Sequence, residues 1–326
     1  TLFRSLQKMD DAMKYYKRAL ALDPDFADAH NNIGIVYLDL GQLDEAAQSY
    51  KAALKLKPEF VEAHYNLGVV LQDLGQIEDA IESYKDVIAI DIGFFKAHNN
   101  LGVALLDLDQ FDEAVKSYKT ALELKPDYVE AINNLGIAFF KLHQLDDAVK
   151  CYERALVLDP VSADAHNNIG AVHLERGQLD EAVNSYRTAL EIKPDFFEAN
   201  NNIGSAFNKL LQPQLAIEYY EKSIAIKPDY VNAHANLAIV LKDFKRFDEV
   251  MAIYQSDIIL NSNLDFILGE VLHTKMMLCI WDDFQIHLNE LTNKINNNEK
   301  AVGPFALLAL IDDPEIQRKT AEIYVN

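Results

Sequence analysis

The sequence predicts an all-α fold, an array of stacked helical hairpins, and three observations carry that prediction. A 34-residue period runs without insertion from Ala27 to Leu264, which is seven complete units. Each unit carries two apolar stripes at the i, i+3, i+4 spacing of amphipathic helices. Proline closes five of the seven at one fixed position, as Pro58, Pro126, Pro160, Pro194 and Pro228.

With each unit numbered from 1 to 34, position 8 is Gly34, Gly68, Gly102, Gly136, Gly170, Gly204 and Ala238, and position 20 is Ala46, Ala80, Ala114, Ala148, Ala182, Ala216 and Val250. Small residues at these points let two helices approach closely. Position 24 is tyrosine throughout: Tyr50, Tyr84, Tyr118, Tyr152, Tyr186, Tyr220 and Tyr254. The pattern resembles the tetratricopeptide repeat. That resemblance implies a right-handed superhelix, an α-solenoid whose concave groove is lined mainly by the first helix of each pair.

Residues 1–26 read as the second helix of a truncated repeat, with Ala12, Tyr16, Ala19 and Pro24 in register, and imply at least one more helix upstream in the parent. In the unit 27–60, Ala29, Ile33, Val36 and Leu40 form the first stripe and Gly41 stops the helix. Leu43, Ala46, Ala47, Tyr50, Leu54 and Leu56 form the second, before Pro58. Neither stripe finds cover within its own unit, so neighbours must stack. The pattern then decays, with Val250 at position 20, Asp257 at position 27 and Ser262 at position 32. Residues 265–326 read as a helical cap: one helix near Phe266 to Cys279, a second from about Asp283 to Ile295, an Asn-rich loop, and a last helix with Asp313 as its cap and Pro314 in its first turn. Trp281 and the apolar run 305–311 supply what is needed to bury the open end of the stack.

Composition narrows the function classes. Of 326 residues, 51 are Asp or Glu and 30 are Lys or Arg, a formal charge of −21 that disfavours nucleic acid and anionic membranes as partners. The longest apolar run, Phe305 to Ile311, falls far short of the ~20 residues of a membrane span, and no leader pattern opens the chain. Cys151 and Cys279 stand alone without metal-ligand spacing, which fits a reducing, cytoplasmic setting.

The stripe expected to face the groove is positions 2, 6, 9 and 13. Position 6 is asparagine in every unit: Asn32, Asn66, Asn100, Asn134, Asn168, Asn202 and Asn236. Asparagine is roughly 0.5 kcal/mol worse than alanine in a helix, so its recurrence asks for a use. A carboxamide offers both a donor and an acceptor, which matches a peptide bond whatever side chain follows. One reading is a ladder that holds an extended polypeptide or protein substrate by its backbone; the other is hydrogen bonding between neighbouring helices. Position 5 adds Asn31, Asn99, Asn133, Asn167 and Asn201.

Position 13 carries Asp39, Asp73, Asp107, Glu175 and Asp243, with Lys141 and Lys209 in the remaining units, and is either a set of side-chain readers or a solvated face. Position 2 is acidic in five units (Asp28, Glu62, Glu130, Asp164 and Glu198). Asp25, Glu59, Asp127 and Asp195 stand three residues before four of these, so most read as capping-box partners rather than contacts to basic peptides. Five histidines share position 4: His30, His64, His98, His166 and His234. Stacked helices lie roughly 8–10 Å apart and zinc ligands lie about 2 Å from the metal, so these cannot converge and read as packing residues. GxGxxG, P-loop, GxSxG and HExxH motifs are absent, and no catalytic residue or metal ligand is assigned.

Finally, Cys279-Ile280-Trp281-Asp282-Asp283, with Gly303-Pro304-Phe305-Ala306-Leu307-Leu308-Ala309-Leu310 and Asp312-Asp313-Pro314, resembles the junction between repeats and catalytic core in protein O-GlcNAc transferases, particularly the SPINDLY-like bacterial members. The resemblance implies a parent glycosyltransferase that takes a UDP-GlcNAc-like nucleotide sugar and modifies Ser or Thr of proteins held in the groove. Its nucleotide-binding lobes and catalytic base would lie beyond Asn326, so the chain itself would need no cofactor and be inactive. A non-enzymatic scaffold for protein assembly is the alternative. A receptor for C-terminal carboxylates fits poorly, because among the repeats Lys four residues before Asn occurs only at Lys96 and Asn100, and acids occupy most of the equivalent sites.

Overall fold

The computed structural model describes residues 2–256 and 266–325, with side chains from Met9 onward. Among the described residues there are nineteen helices and no strand. The chain divides into two compact units, residues 1–168 and 169–326.

The first unit holds α1 (Leu2–Leu22), α2 (Ala27–Asp39), α3 (Leu43–Leu56), α4 (Val61–Asp73), α5 (Ile77–Ile90), α6 (Phe95–Asp107), α7 (Phe111–Leu124), α8 (Val129–Lys141), α9 (Leu145–Leu158) and the first half of α10 (Ala163–Glu175). Each even-numbered helix pairs with the next as a hairpin, and each hairpin stacks on its neighbour. The expected small residues do close the hairpins. A Cβ built on Gly34 would lie 2.5 Å from Tyr50 Cε1, and on Gly68 or Gly102 it would lie 2.6 Å from the Tyr84 or Tyr118 ring. These tyrosines are buried, as are Ala46, Ala80 and Ala114. Each ring removed from water contributes about 1.5–3 kcal/mol.

The turn inside each hairpin has one conformation whatever residue it holds. Position 15 is left-handed at Gly41, Gly75 and Gly177, where φ is 70–73°, and equally at Asp109, His143, Leu211 and Lys245, where φ is 55–58°. Glycine adopts this conformation without steric penalty; the others bear a cost set by their Cβ.

The second unit continues with α11 (Leu179–Ile192), α12 (Phe197–Lys209), α13 (Pro213–Ile226), α14 (Val231–Asp243) and α15 (Phe247–Tyr254). Asp257, Ser262 and Leu264, where the sequence pattern decays, lie outside the described residues. Four further helices follow: α16 (Ile267–Met277), α17 (Phe284–Asn296), α18 (Pro304–Leu310) and α19 (Pro314–Val325). Asp313 caps α19 through its Oδ1, which accepts from Glu315 N at 2.9 Å and Ile316 N at 3.3 Å.

The cap expectation needs correction in two places. Trp281 is 58% exposed and lies edge-on to Phe284, and Phe305 is 90% exposed. The terminal helices close instead around Leu272, Leu291, Ile295, Ala301, Val302 and Leu307, while Ile267 and Val271 of α16 pack on the last repeat. The run 305–311 is amphipathic: a short helix buries Leu307 and turns Phe305 and Leu308 outward.

Candidate functional site: the first-helix face

Each first helix presents positions 2, 6, 9 and 13 as a graded face. Position 13 is exposed at Asp39, Asp73, Asp107 and Asp243; position 9 is partly or fully exposed at Ile35, Val69, Val103 and Ile137; position 6 is half-buried in every repeat. The asparagines therefore sit at the base of the face, with the carboxylates of position 13 towards solvent.

Four position 6 asparagines donate to the position 5 side chain of the preceding repeat. Asn66 Nδ2 donates to Asn31 Oδ1 at 3.3 Å, Asn134 Nδ2 to Asn99 Oδ1 at 3.1 Å and Asn236 Nδ2 to Asn201 Oδ1 at 2.9 Å. In the second repeat position 5 is Tyr65, and its hydroxyl accepts from Asn100 Nδ2 at 3.2 Å. Position 5 then returns a bond within its own repeat: Asn99 Nδ2 donates to Asn100 Oδ1 at 3.2 Å, and Asn201 Nδ2 to Asn202 Oδ1 at 3.4 Å. One rung is not made: Asn133 Oδ1 is buried without a partner, and Asn168 shares only a long 3.5 Å contact with Asn167. Each rung uses one N–H of its position 6 carboxamide, and Asn100 is engaged by the Tyr84 hydroxyl as well. A carboxamide has two N–H groups and two lone pairs, so capacity for a ligand backbone remains.

A similar step occurs higher on the face, where Gln72 Nε2 donates to Asp107 Oδ2 at 2.9 Å. The buried position 24 tyrosines reach this level from behind. Tyr84 donates to Gln72 Oε1 and Tyr220 pairs with Ser205 Oγ, each at 3.2 Å, whereas the hydroxyls of Tyr50 and Tyr186 are buried without partners. Burial raises all these phenols above their ordinary pKa of 10.

The capping-box reading of the position 2 acids is not what the structure shows. The N-caps are aromatic (Phe26, Phe60, Tyr128 and Phe196), with no side-chain cap bond, so Asp25, Glu59, Asp127 and Asp195 lie one residue too early to cap. The position 2 acids instead occupy the first helical turn, where the helix dipole favours negative charge. Glu130 is further held by Asn99 Nδ2 and the Tyr128 hydroxyl, each at 2.9 Å. The aromatic caps receive lysines from the loops before them: Lys57 lies 4.3 Å from the Phe60 ring and Lys193 4.5 Å from the Phe196 ring.

The position 4 histidines tie down those same loops. Nε2 of His64 and of His234 lies 2.8 Å from the carbonyls of Pro58 and Pro228, and His98 Nε2 lies 3.1 Å from the Ile92 carbonyl. Among the described residues, no group of three or more His, Cys, Asp or Glu is placed to hold a metal ion. Burial pushes the Cys151 thiol up to about 11, which keeps it protonated and unreactive at neutral pH. No described helix is long and apolar enough to cross a membrane.

Comparison with known families agrees with this geometry. Family models described as tetratricopeptide repeat match residues 133–195, 172–231 and 61–92, and one described as TPR repeat matches 2–41, 36–75 and 104–143. The chain carries tetratricopeptide repeats. Among solved tetratricopeptide-like structures, it resembles a tetratricopeptide repeat protein from Parabacteroides merdae at 18% identity and TM-score 0.67, over 77% of this chain and 98% of that one. A chain of the APC/C Cut9–Hcn1 hetero-tetramer aligns at 19% identity and TM-score 0.61, over 72% of this chain and 46% of that one. PilF of Pseudomonas aeruginosa aligns at 19% identity and TM-score 0.54, over 68% and 96%. These likenesses show the fold. No curated protein matches the chain significantly.

Proposed function

We propose that this tetratricopeptide array is a polypeptide-binding scaffold whose first-helix faces hold an extended chain by its backbone. The observation that carries the proposal is the row of half-buried carboxamides, one per repeat, of which Asn66, Asn100, Asn134 and Asn236 are each tied to the repeat before. Preorganised amides lose little side-chain entropy on binding. Asn32, Asn66, Asn100, Asn134 and Asn168 supply the backbone contacts in the first unit, and Asn202 and Asn236 in the second. Above them, Asp39, Asp73, Asp107 and Asp243 read side chains.

Photo-crosslinking tests this. A benzophenone side chain at position 103, between Asn100 and Asp107 on the same helix, should capture reduced, carboxamidomethylated ribonuclease A, a permanently unfolded basic chain. The same probe at Lys116 on α7 should not. Equal capture at both positions would overturn the assignment.

A finer reading rests on the segments Cys279–Asp283, Gly303–Leu310 and Asp312–Pro314, which resemble the junction of protein O-GlcNAc transferases. On that reading the array presents protein substrates to a glycosyltransferase core supplied elsewhere in the parent, with a UDP-GlcNAc-like donor bound there. Transfer of labelled GlcNAc to protein by the product of the whole gene tests it; a parent without transferase activity leaves the scaffold reading alone.

A further inference from the structure

At the joint between the last repeat and the terminal helices, one titratable ring has a buried nitrogen with no partner. α16 makes the joint. Its Ile267 and Val271 pack against the core formed by Leu237, Leu241, Val250 and Tyr254, while Leu272 belongs to the core of the terminal helices. On α16, Glu270 also accepts an ion-pair hydrogen bond from Lys242 of α14. His273 stands three residues beyond Glu270, and its Nδ1 is buried and makes no hydrogen bond.

We propose that this joint is a proton-operated latch, in which a proton on His273 loosens α16 from the last repeat. A neutral imidazole carries one N–H, whereas an imidazolium carries one at each nitrogen. Protonation therefore leaves a charged ring whose buried Nδ1–H has no acceptor, which is costly. The charged groups acting on the ring are Lys242 from α14 and Glu270 on α16 itself; from α15, Tyr254 faces Glu270. Lys242 repels the imidazolium, and the carboxylate that attracts it is already engaged by Lys242.

The direction of the effect follows. Burial first, and Lys242 second, hold the imidazole below its ordinary pKa of 6.5 against the pull of Glu270. The released state takes up a proton more readily than the docked state, so docking is complete above about pH 6.5 and weakens as pH falls towards the lower docked value. Release exposes the apolar end of the last repeat, including Leu237, Leu241 and Tyr254.

Hydrogen exchange of the full chain tests the latch, with the intrinsic pH dependence of exchange divided out. Amides of α16 should lose protection about tenfold between pH 7.5 and pH 5.0, while those of α4–α9 keep theirs. His273→Gln, which cannot take up the proton, should hold α16 protection constant over that range. Should His273→Gln dock poorly at both pH values, Lys242→Gln gives the answer: it removes the repelling cation and frees Glu270 for His273, so the pH effect should shrink or reverse. Unchanged protection of α16 in the unaltered chain overturns the proposal. So does a loss in His273→Gln or Lys242→Gln as large as in the unaltered chain.

Discussion

Asn134 donates its Nδ2 hydrogen to Asn99 Oδ1 at 3.1 Å, so a side chain at the base of one repeat's exposed face is also a tie to the repeat before it. The structural tie and the proposed peptide contact therefore fall on the same carboxamide. Any test of function must separate them.

Gly102→Ala is expected to destabilise the chain by about 1–3 kcal/mol, although alanine is the better helix former, because the added methyl would lie 2.6 Å from Tyr118 Cε1 and 2.8 Å from two more ring atoms. Denaturant unfolding measures it. Gly102→Ala with Tyr118→Leu should recover part of the loss relative to Tyr118→Leu alone.

Leu211→Gly is expected to stabilise by about 0.5–1 kcal/mol. Leu211 is left-handed with φ 58° and its side chain is 87% exposed, so glycine relieves strain and forfeits almost no packing. The converse, Gly41→Leu, should destabilise by a similar amount. A lower denaturation midpoint for Leu211→Gly would contradict the strain argument.

Asp313→Ala should fray α19 at a cost of about 0.5–2 kcal/mol, since both N–H groups held by its Oδ1 lose their acceptor. The amides of Glu315 and Ile316 should exchange faster while those of α4–α9 do not.

Raising the pH should leave the position 24 tyrosines protonated until the chain unfolds. Burial raises the folded pKa of Tyr118, Tyr152 and Tyr186 above the ordinary value of 10. An acid with a raised folded pKa favours folding while protonated, so stability is full below about pH 10 and falls as pH rises beyond it. Absorbance at the phenolate band should show the buried set ionising together with unfolding.

Much of this was legible in the sequence because a 34-residue period repeats the same physical problem seven times. The glycines at position 8 and tyrosines at position 24 announce a contact too close for a Cβ, and the structure brings those residues together. Proline at position 32 and the paired apolar stripes place the helices. Less was legible where conformation is imposed by neighbours. Nothing about Leu211 or Lys245 suggests a left-handed turn; only alignment with Gly41 and Gly75 reveals it. The acids before four of the first helices, Asp25, Glu59, Asp127 and Asp195, read as caps, but the N-caps lie one residue later, at aromatic residues. The position 6 partners lay hidden in position 5, whose changes from Asn31 to Tyr65 to Asn99 keep an acceptor while changing the side chain. Trp281 reads as core by its size and is surface by its place in the connection between α16 and α17.

The most direct measurement of the central claim compares two variants for binding to reduced, carboxamidomethylated ribonuclease A, each with its denaturation curve. Asn66→Ala/Asn100→Ala/Asn134→Ala removes three carboxamides from the exposed face and the ties they make. Asn31→Ala/Asn99→Ala removes ties from the other side and leaves the position 6 carboxamides in place. Each lost backbone contact is worth about 0.5–1.5 kcal/mol, so the first variant should bind at least about tenfold more weakly. The second should bind within about threefold of the unaltered chain while losing comparable stability. Equal weakening in both would make the row a structural tie, and unchanged binding in the first would remove it from recognition altogether.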